Sequence, residues 1–505
     1  MSTVCCIASC VCMYSVFYMS GEQDGVRFIG MLMLFVCAMG ALIFTPSMFG
    51  LMVGWDGLGV TSFLLVIYYN NSDSLMAGMI TLLSNRVGDM FFVMFLGLGI
   101  ECVSWGFWDL SLGHISVWML LMVLIASMTK SAQVPFSAWL PAAMAAPTPV
   151  STLVHSSTLV TAGIYVLLRF SEVFSVGILN FMMMFTSIMT LTLSGMAAMY
   201  EVDLKKVVAL STLSQLGVML FGLCMGLPVI CFFHLITHAY FKSMMFLCVG
   251  VLIFVSGGVQ DYRFMGGIWW KAPIVFSWLA ICFGSLTGLP FTSGFYSKDI
   301  IVESVLSGDS GILKVFMIYS SVGITGLYSG RVLYDLGVKK SYFSVSGELD
   351  WSKWCLLPIS VLGVCALLTG YMFSSYFNHF SEFMFMNSGS ISMIMMIQGL
   401  TLTSLLIWYY GQKLLKTTNR SGFTEWFIVK MWFLSEISGN FLGSKFLDKC
   451  VNALFFVEKG WCAFFWYDGL FDVLSKGSNF YRGGQLKLMG GAVLMAFMVF
   501  ISFFL

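Results

Sequence analysis

Charge is scarce in this chain: only 10% of its 505 residues are Asp, Glu, Lys or Arg, where a soluble domain carries about a quarter. That scarcity excludes an ordinary water-soluble enzyme. The formal net charge is +1 at pH 7, so neither sign is in excess and nothing recommends nucleic acid or an acidic partner. The 14 cysteines contain no Cys-x-x-Cys pair, and Cys5, Cys6, Cys10, Cys12 and Cys37 lie in apolar runs. They read as small buried hydrophobes rather than as disulfides or cluster ligands. No P-loop is present and no Gly-x-Gly-x-x-Gly follows a strand, so no nucleotide site is expected. The first apolar stretch lacks a basic leader and a small-residue cleavage site, and it reads as a span rather than a signal peptide.

What is present is apolar: 59% of the residues are hydrophobic and the mean hydropathy is +0.91. An all-α polytopic membrane protein follows. A span needs about 20 apolar residues. On that ruler the candidates are 4–19, 28–46, 48–69, 75–99, 115–145 (broken), 150–169, 173–199, 206–226, 228–255, 272–306 (broken), 312–335, 353–374, 391–412 and 486–505, about 14 transmembrane helices. An even count puts both termini on one side. Loops after odd-numbered spans hold Arg27, Lys205, Lys206, Arg263, Lys271, Lys339, Lys340, Lys353, Lys413, Lys416 and Arg420, whereas the even loops hold little beyond Arg169. The positive-inside rule turns the odd loops to the cytoplasm, or to the matrix of a mitochondrion.

The 9 prolines are concentrated, with Pro135, Pro141, Pro147 and Pro149 following Lys130 and preceding His155. Proline in a helix interior costs about 3 kcal/mol, and an ionisable group in mid-membrane about 2.5 kcal/mol or more. Both costs in one stretch point to use. Val134-Pro135-Phe136-Ser137 is echoed by Leu289-Pro290-Phe291-Thr292, with 290 − 135 = 155, and Arg86 by Lys242, with 242 − 86 = 156. Five spans separate each pair, so the two copies run in opposite directions. Inverted repeats with one broken helix each are the architecture of secondary ion transporters.

The intramembrane charges each allow two readings. Asp56 beside Lys130 would stabilise an ammonium and favour proton loss on separation, or would form a static ion pair that fixes packing. Arg86 and Asp89 lie i, i+3 on one face, as a self-neutralising pair or part of a path. His155 is a relay or a packing histidine. His234, His238 and Lys242, at i, i+4 and i+8, form a polar stripe about 12 Å long. A proton wire suits it better than zinc, for which no third ligand is near. Lys298 and Asp299, followed by Glu303, re-enter after the second break. Adjacent residues point apart, so a partner on another helix is expected. Lys205 or Lys206 is close enough to the apolar run to enter the bundle.

From Gly54 to about Arg331 the chain resembles the antiporter-like membrane subunits of respiratory complex I, relatives of the multisubunit sodium/proton antiporters. The resemblance rests on Gly54-Trp55-Asp56-Gly57-Leu58-Gly59, Asn85-Arg86-Val87-Gly88-Asp89, Lys130-Ser131-Ala132-Gln133 and Trp139-Leu140-Pro141-Ala142-Ala143-Met144. It extends through Pro147-Thr148-Pro149-Val150-Ser151, His155-Ser156-Ser157-Thr158, Ser214-Gln215-Leu216-Gly217, His238-Ala239-Tyr240-Phe241-Lys242 and Gly294-Phe295-Tyr296-Ser297-Lys298-Asp299. It implies a proton path in which Asp56 modulates Lys130, His155 connects, His234, His238 and Lys242 form the axis, and Lys298 with Asp299 forms the exit. Arg86, Asp89, Lys205, Lys206 and Glu303 support it. The chain departs from the pattern at Asp56, where a Glu is usual, and at Ala145-Ala146, where Glu-Gly is common. The family also commonly has two further spans before the Asp56 helix.

The resemblance further implies no metal and no cofactor on this chain, with NADH, FMN, iron-sulfur clusters and ubiquinone held elsewhere in the complex. Expected partners are the other membrane-arm subunits, especially neighbouring antiporter-like ones, and membrane lipids such as cardiolipin. The expected place is the mitochondrial inner membrane. A stand-alone cation/proton antiporter and a non-pumping spacer are the alternatives. The expected divisions are 1–53 (shortened N-terminal helices), 54–170 and 171–335 (inverted halves), 336–423 (peripheral helices), 424–483 (a lateral amphipathic segment on the matrix side) and 484–505 (an anchor). In 424–483, aromatics such as Trp426, Phe427, Trp461 and Phe464 alternate with charges such as Glu425, Lys430, Asp448 and Lys459, which reads as amphipathic. It lies along neighbouring subunits or folds back on its own bundle.

Overall fold

The computed structural model describes residues 1–99, 117–171, 177–307, 312–338, 353–377, 394–401, 403–404, 422–436, 443–462 and 498. They fall in two compact units, Met1–Ser435 and Glu436–Leu505. The first opens with α1 (Ser2–Tyr18), α2 (Gly25–Phe44), α3 (Met48–Val66), α4 (Ser72–Gly99) and α5 (Val117–Lys130). After short turns, α6 (Thr148–Arg169) follows, then α7 (Gly177–Tyr200), α8 (Leu204–Cys224) and α9 (Pro228–Val255). Next come α10 (Pro273–Thr287), α11 (Ser293–Ser307), α12 (Ile312–Gly337), α13 (Lys353–Phe377), α14 (394–401) and α15 (Gly422–Val429). In the second unit, α16 (Gly443–Leu454) runs into a π-turn at Phe455–Cys462.

Local sequence sets several ends. Ser47 caps α3 by accepting from the Gly50 amide at 3.2 Å, and proline opens α9 and α10, where its missing N–H costs nothing. No strand occurs among the described residues, and one isolated bridge joins Asp203 to Asp261.

Eight described helices are long and apolar enough to cross a membrane. Twelve of the expected stretches, from 4–19 to 353–374, coincide with described helices. The stretch 391–412 is helical where described, at 394–401 and 403–404. The stretch 486–505 lies outside the described residues except for 498, as does most of 424–483 beyond Cys462. The first compact unit runs on to Ser435, because α15 packs against α7 and the turn after it brings Met431 Sδ to 3.8 Å from Ser137 Oγ.

Burial separates inner helices from outer ones. The apolar windows of α6, α8 and α9 are 94%, 94% and 89% buried, against 39% in α2 and 33% in α4. A helix enclosed on all sides is the one place in a bilayer where polar side chains avoid lipid. These three carry His155, Lys205, Gln215, His234, His238 and Lys242. The central helix, α9, packs against α1, α6, α8, α10, α11 and α13.

Candidate functional site

The first break begins where α5 ends at Lys130. The Ser131 amide still reaches Ser127 O at 2.9 Å, but Ala132 turns left-handed (φ 53°) and Gln133 N bonds back to Met128 O at 3.0 Å. The cis Val134–Pro135 bond follows, and helix resumes at Trp139. Lys130 is fully buried; its Nζ donates to the Trp55 carbonyl and lies 3.9 Å from the centre of the Trp55 ring. The same indole donates to Asp89 Oδ1 at 3.0 Å, and Asp89 Oδ2 is 3.3 Å from Arg86 Nη1. Trp139 Nε1 donates to Thr129 O at 2.9 Å, a carbonyl that otherwise receives only the long 3.4 Å bond from the Ala132 amide at the break.

Asp56 is not the group that touches Lys130. No ion pair joins them within 4 Å among the described residues, and Asp56 Oδ1 has no hydrogen-bond partner there. One helical position is about 100° of rotation, and it is the ring and carbonyl of Trp55 that cover the ammonium. Arg86 also differs from its sequence counterpart: its side chain is 51% exposed, whereas Lys242 is fully buried.

His155 sits on a π-turn, Ser151–Thr158, at the head of α6, its ring centre 6.2 Å from that of Trp139. Such turns widen a helix and recur at functional positions. Both ring nitrogens of His155 and His238, and both amide atoms of Gln133 and Gln215, are buried with no hydrogen-bond partner among the described residues. On α9 the His234 and His238 rings are 6.2 Å apart, and Lys242 Nζ donates to Ser211 Oγ of α8 at 2.6 Å. His234 Nδ1 is 2.9 Å from Ser297 Oγ, and Thr237 Oγ1 is 3.2 Å from the same hydroxyl. Ser297 thereby ties the stripe to the second break.

At that break α10 ends in Gly288, whose φ of 85° is the left-handed region glycine enters without a Cβ penalty. Phe291 is also left-handed (φ 65°). Lys298, buried on α11, donates to Leu286 O at 3.1 Å and to Thr325 Oγ1 of α12 at 3.2 Å. The expected partner on another helix is thus a neutral hydroxyl. Asp299 and Glu303 are buried on the same helix, and Asp299 Oδ1 has no hydrogen-bond partner among the described residues.

Lys205 enters the bundle and Lys206 does not. Lys205 is buried and donates to Ala146 O at 3.3 Å, while Lys206 pairs with Asp203 at 2.6 Å with 42% of its side chain exposed. Between α7 and α8, burial holds the Glu201 carboxyl above its usual range, against the opposing pull of Lys206. The Tyr262 phenol, which donates to Glu201 O at 3.2 Å, is pushed up to about 12 by burial. Arg263 and Asp261 close this end with an ion pair at 2.7 Å.

Sequence reasoning did not single out Trp55, Trp139, Ser211, Ser297, Thr325 or Gln398. Trp55, Trp139 and Ser297 sit inside quoted motifs next to chosen residues. Ser211, Thr325 and Gln398 carry no local signal.

Residues 45–325 match the family described as NADH:quinone oxidoreductase/Mrp antiporter, and residues 328–505 match that described as NADH dehydrogenase subunit 5 C-terminus. The chain is 37% identical over 488 residues to NADH-ubiquinone oxidoreductase chain 5 of Lumbricus terrestris, covering 95% of this chain and 84% of that one. It is 46% identical over 377 residues to the chain of the same name from Artemia franciscana, covering 74% and 68%. Its fold is similar to a chain of the Mrp complex from Dietzia sp., with a TM-score of 0.69, 24% identity and 89% of this chain covered. The chain spans about half (53%) of the length of that solved chain. Two family matches that together run from residue 45 to the end, and relatives aligned over most of their length, agree with the paired breaks and buried lysines: the chain belongs to the NADH:quinone oxidoreductase/Mrp antiporter family, in its NADH dehydrogenase subunit 5 branch.

Proposed function

We propose that this chain moves protons as a membrane-arm subunit of NADH:ubiquinone oxidoreductase, coupled to quinone reduction carried out elsewhere in that complex. The observation that carries the reading is the state of three lysines. Lys130, Lys242 and Lys298 are buried, their hydrogen bonds go to neutral oxygens, and none is in an ion pair within 4 Å among the described residues. A carboxylate clamped to each would lock the ammonium. Carbonyl and hydroxyl oxygens support the charged form, and a hydroxyl also donates to the neutral amine, so both protonation states find partners.

The same helices and breaks carry Gln133, His155, Gln215 and His238, whose unpartnered polar atoms would each cost about 1–3 kcal/mol if left unsatisfied. Internal water satisfies such groups and conducts protons between them. In this reading Asp56 and Asp89 set the field at Lys130, His155 connects, His234, His238 and Lys242 form the axis, and Lys298 with Asp299 forms the exit. Lys205 lies where the axis meets one end of the bundle. The chain holds no redox group itself: NADH, FMN, iron-sulfur clusters and ubiquinone belong to other subunits. It sits in the mitochondrial inner membrane beside other antiporter-like subunits and lipids such as cardiolipin. Residues 424–483 lie laterally on the matrix side, and both termini face the intermembrane space.

The test is proton/electron stoichiometry in the assembled complex in sealed vesicles, comparing wild type with Lys130→Met and Lys298→Met. Each variant is expected to keep electron transfer under uncoupled conditions and to lose protons moved per electron. Unchanged stoichiometry in both would assign the chain to a spacer role. The similarity to an Mrp chain favours a second reading, cation/proton exchange, for which sodium-dependent alkalinisation without any redox substrate is the signature.

A further inference from the structure

The two breaks differ in who satisfies their exposed carbonyls. At the end of α10, Gly284 O accepts from the amides of Gly288 and Leu289 at 3.0 and 2.9 Å. Leu286 O accepts from Lys298 at 3.1 Å. Thr287 O and Gly288 O accept from Nε2 of one distant side chain, Gln398 of α14, at 2.9 and 3.4 Å. Gln398 is itself buried.

α14 is set there by small residues on α12. A Cβ on Gly326 would come within 2.6 Å of Thr401 Oγ1, and one on Gly323 within 3.6 Å of Thr401 Cγ2. Between these glycines on the chain lies Thr325, the second acceptor of Lys298. The carboxylate of Asp299 lies on the same spot: a Cβ on Gly288 would meet Asp299 Oδ1 at 3.0 Å, Gln398 Nε2 at 3.3 Å and Asp299 Oδ2 at 3.4 Å. An amide donor, a carboxylate and the end of a helix therefore converge within two residues of the carbonyl that Lys298 uses.

We propose that Gln398 is a positioning residue for the exit lysine: by occupying Thr287 O and Gly288 O it confines Lys298 to Leu286 O and Thr325 Oγ1 and keeps the ammonium off Asp299. The proposal rests on the reading of Lys298 as a proton carrier. The reason is competition for acceptors. An ammonium carries three donors on a flexible four-carbon stem, and a buried carbonyl stripped of its donor attracts any donor in reach. Without Nε2, Lys298 moves toward Gly288, which is where Asp299 sits, and the pair closes into a locked salt bridge. The proton then stays on the lysine.

The experiment uses the assembled complex in sealed vesicles, with electron transfer and proton/electron stoichiometry read together. Gln398→Met keeps the length and loses the donor; it is expected to match the stoichiometry of Lys298→Met while uncoupled electron transfer remains. Gln398→His returns a donor at similar reach and is expected to recover stoichiometry, a split that a merely structural role would not produce. If Lys298→Met lowers stoichiometry and Gln398→Met does not, the positioning role is overturned. Unchanged stoichiometry in Lys298→Met would instead overturn the carrier reading beneath it. Should Gln398→Met fail to assemble, Gln398→Ser, uncharged and too short for its hydroxyl to reach Thr287 O, decides: full stoichiometry there overturns the proposal, and loss there with recovery in Gln398→His supports it.

Discussion

The two broken helices solve one problem with different materials. At the first, the lysine is covered by the ring and carbonyl of Trp55, and the nearby Thr129 carbonyl is taken by Trp139, nine residues past Lys130. At the second, the lysine rests on a carbonyl of its own broken helix and on Thr325, and the spare carbonyls are taken by Gln398, more than a hundred residues away. Rigid indoles thus enclose one site, while flexible hydroxyl and amide groups enclose the other. A cation under an indole face gains about 2 kcal/mol or more when desolvated, and a hydrogen bond from an ammonium is worth about 1.5–3 kcal/mol. The two lysines are therefore held by comparable energies through different groups, and that contrast can be broken from either side.

The largest effect is expected at Trp55. Trp55→Leu removes the ring over Lys130 and the donor to Asp89 at once, about 4 kcal/mol by the sum of a desolvated cation–π contact and a hydrogen bond to a charge. Proton/electron stoichiometry in the assembled complex should fall to the level of Lys130→Met, and wild-type stoichiometry would show that the ring only fills space. Next is Gly326→Leu, which pushes α14 off α12 and so disturbs the second break alone. Stoichiometry is expected to fall as in Gln398→Met, with the accessibility of a cysteine placed at Ser131 unchanged. If labelling at the first break changes too, the two sites are one mechanical unit.

Thr325→Val is milder. Losing one acceptor of the ammonium costs about 1.5 kcal/mol, a slowing of proton transfer of roughly tenfold, readable as a lower membrane potential at equal electron flux. The same substitution would be silent if Leu286 O alone held Lys298. Smallest is Glu201→Gln, outside the spans. Burial raises the Glu201 carboxyl in the folded chain, so folding favours its protonated form. Its contribution is fully present below the unfolded value, about 4.3, and declines as pH rises through the folded value. Glu201→Gln should therefore melt slightly higher than wild type at pH 7.5, with the gap closing toward pH 4. A gap that widens on acidification would show an ion pair holding Glu201 ionised.

Much of the site was legible because membrane burial makes polar residues conspicuous. Lys130, Lys298 and the stripe of His234, His238 and Lys242 stood out as titratable groups in apolar runs, and all five are buried. Pro135 and Pro290 marked both breaks, since proline removes a donor and clashes with the preceding turn. What the sequence left open was which group touches each lysine. Asp56 and Lys130 read as a modulating pair, and the group in contact with the ammonium is Trp55, because the rotation of a helix about its axis is not visible in a sequence. The repeat offset pairs Arg86 with Lys242, and of the two Arg86 is half-exposed on an outer helix while Lys242 is buried on the central one.

Sequence by itself settled that the chain crosses a membrane as helices, that two of them are interrupted, and that a few ionisable groups lie inside. Each of these is a consequence of transfer costs paid residue by residue along the chain. Which oxygen each lysine touches, and that a glutamine from the C-terminal third closes the second interruption, were decided only when helices distant in sequence packed together. Hydrogen bonds act over about 3 Å, and at that range only the packed arrangement, with its small-residue contacts such as Gly326 against Thr401, determines who meets whom.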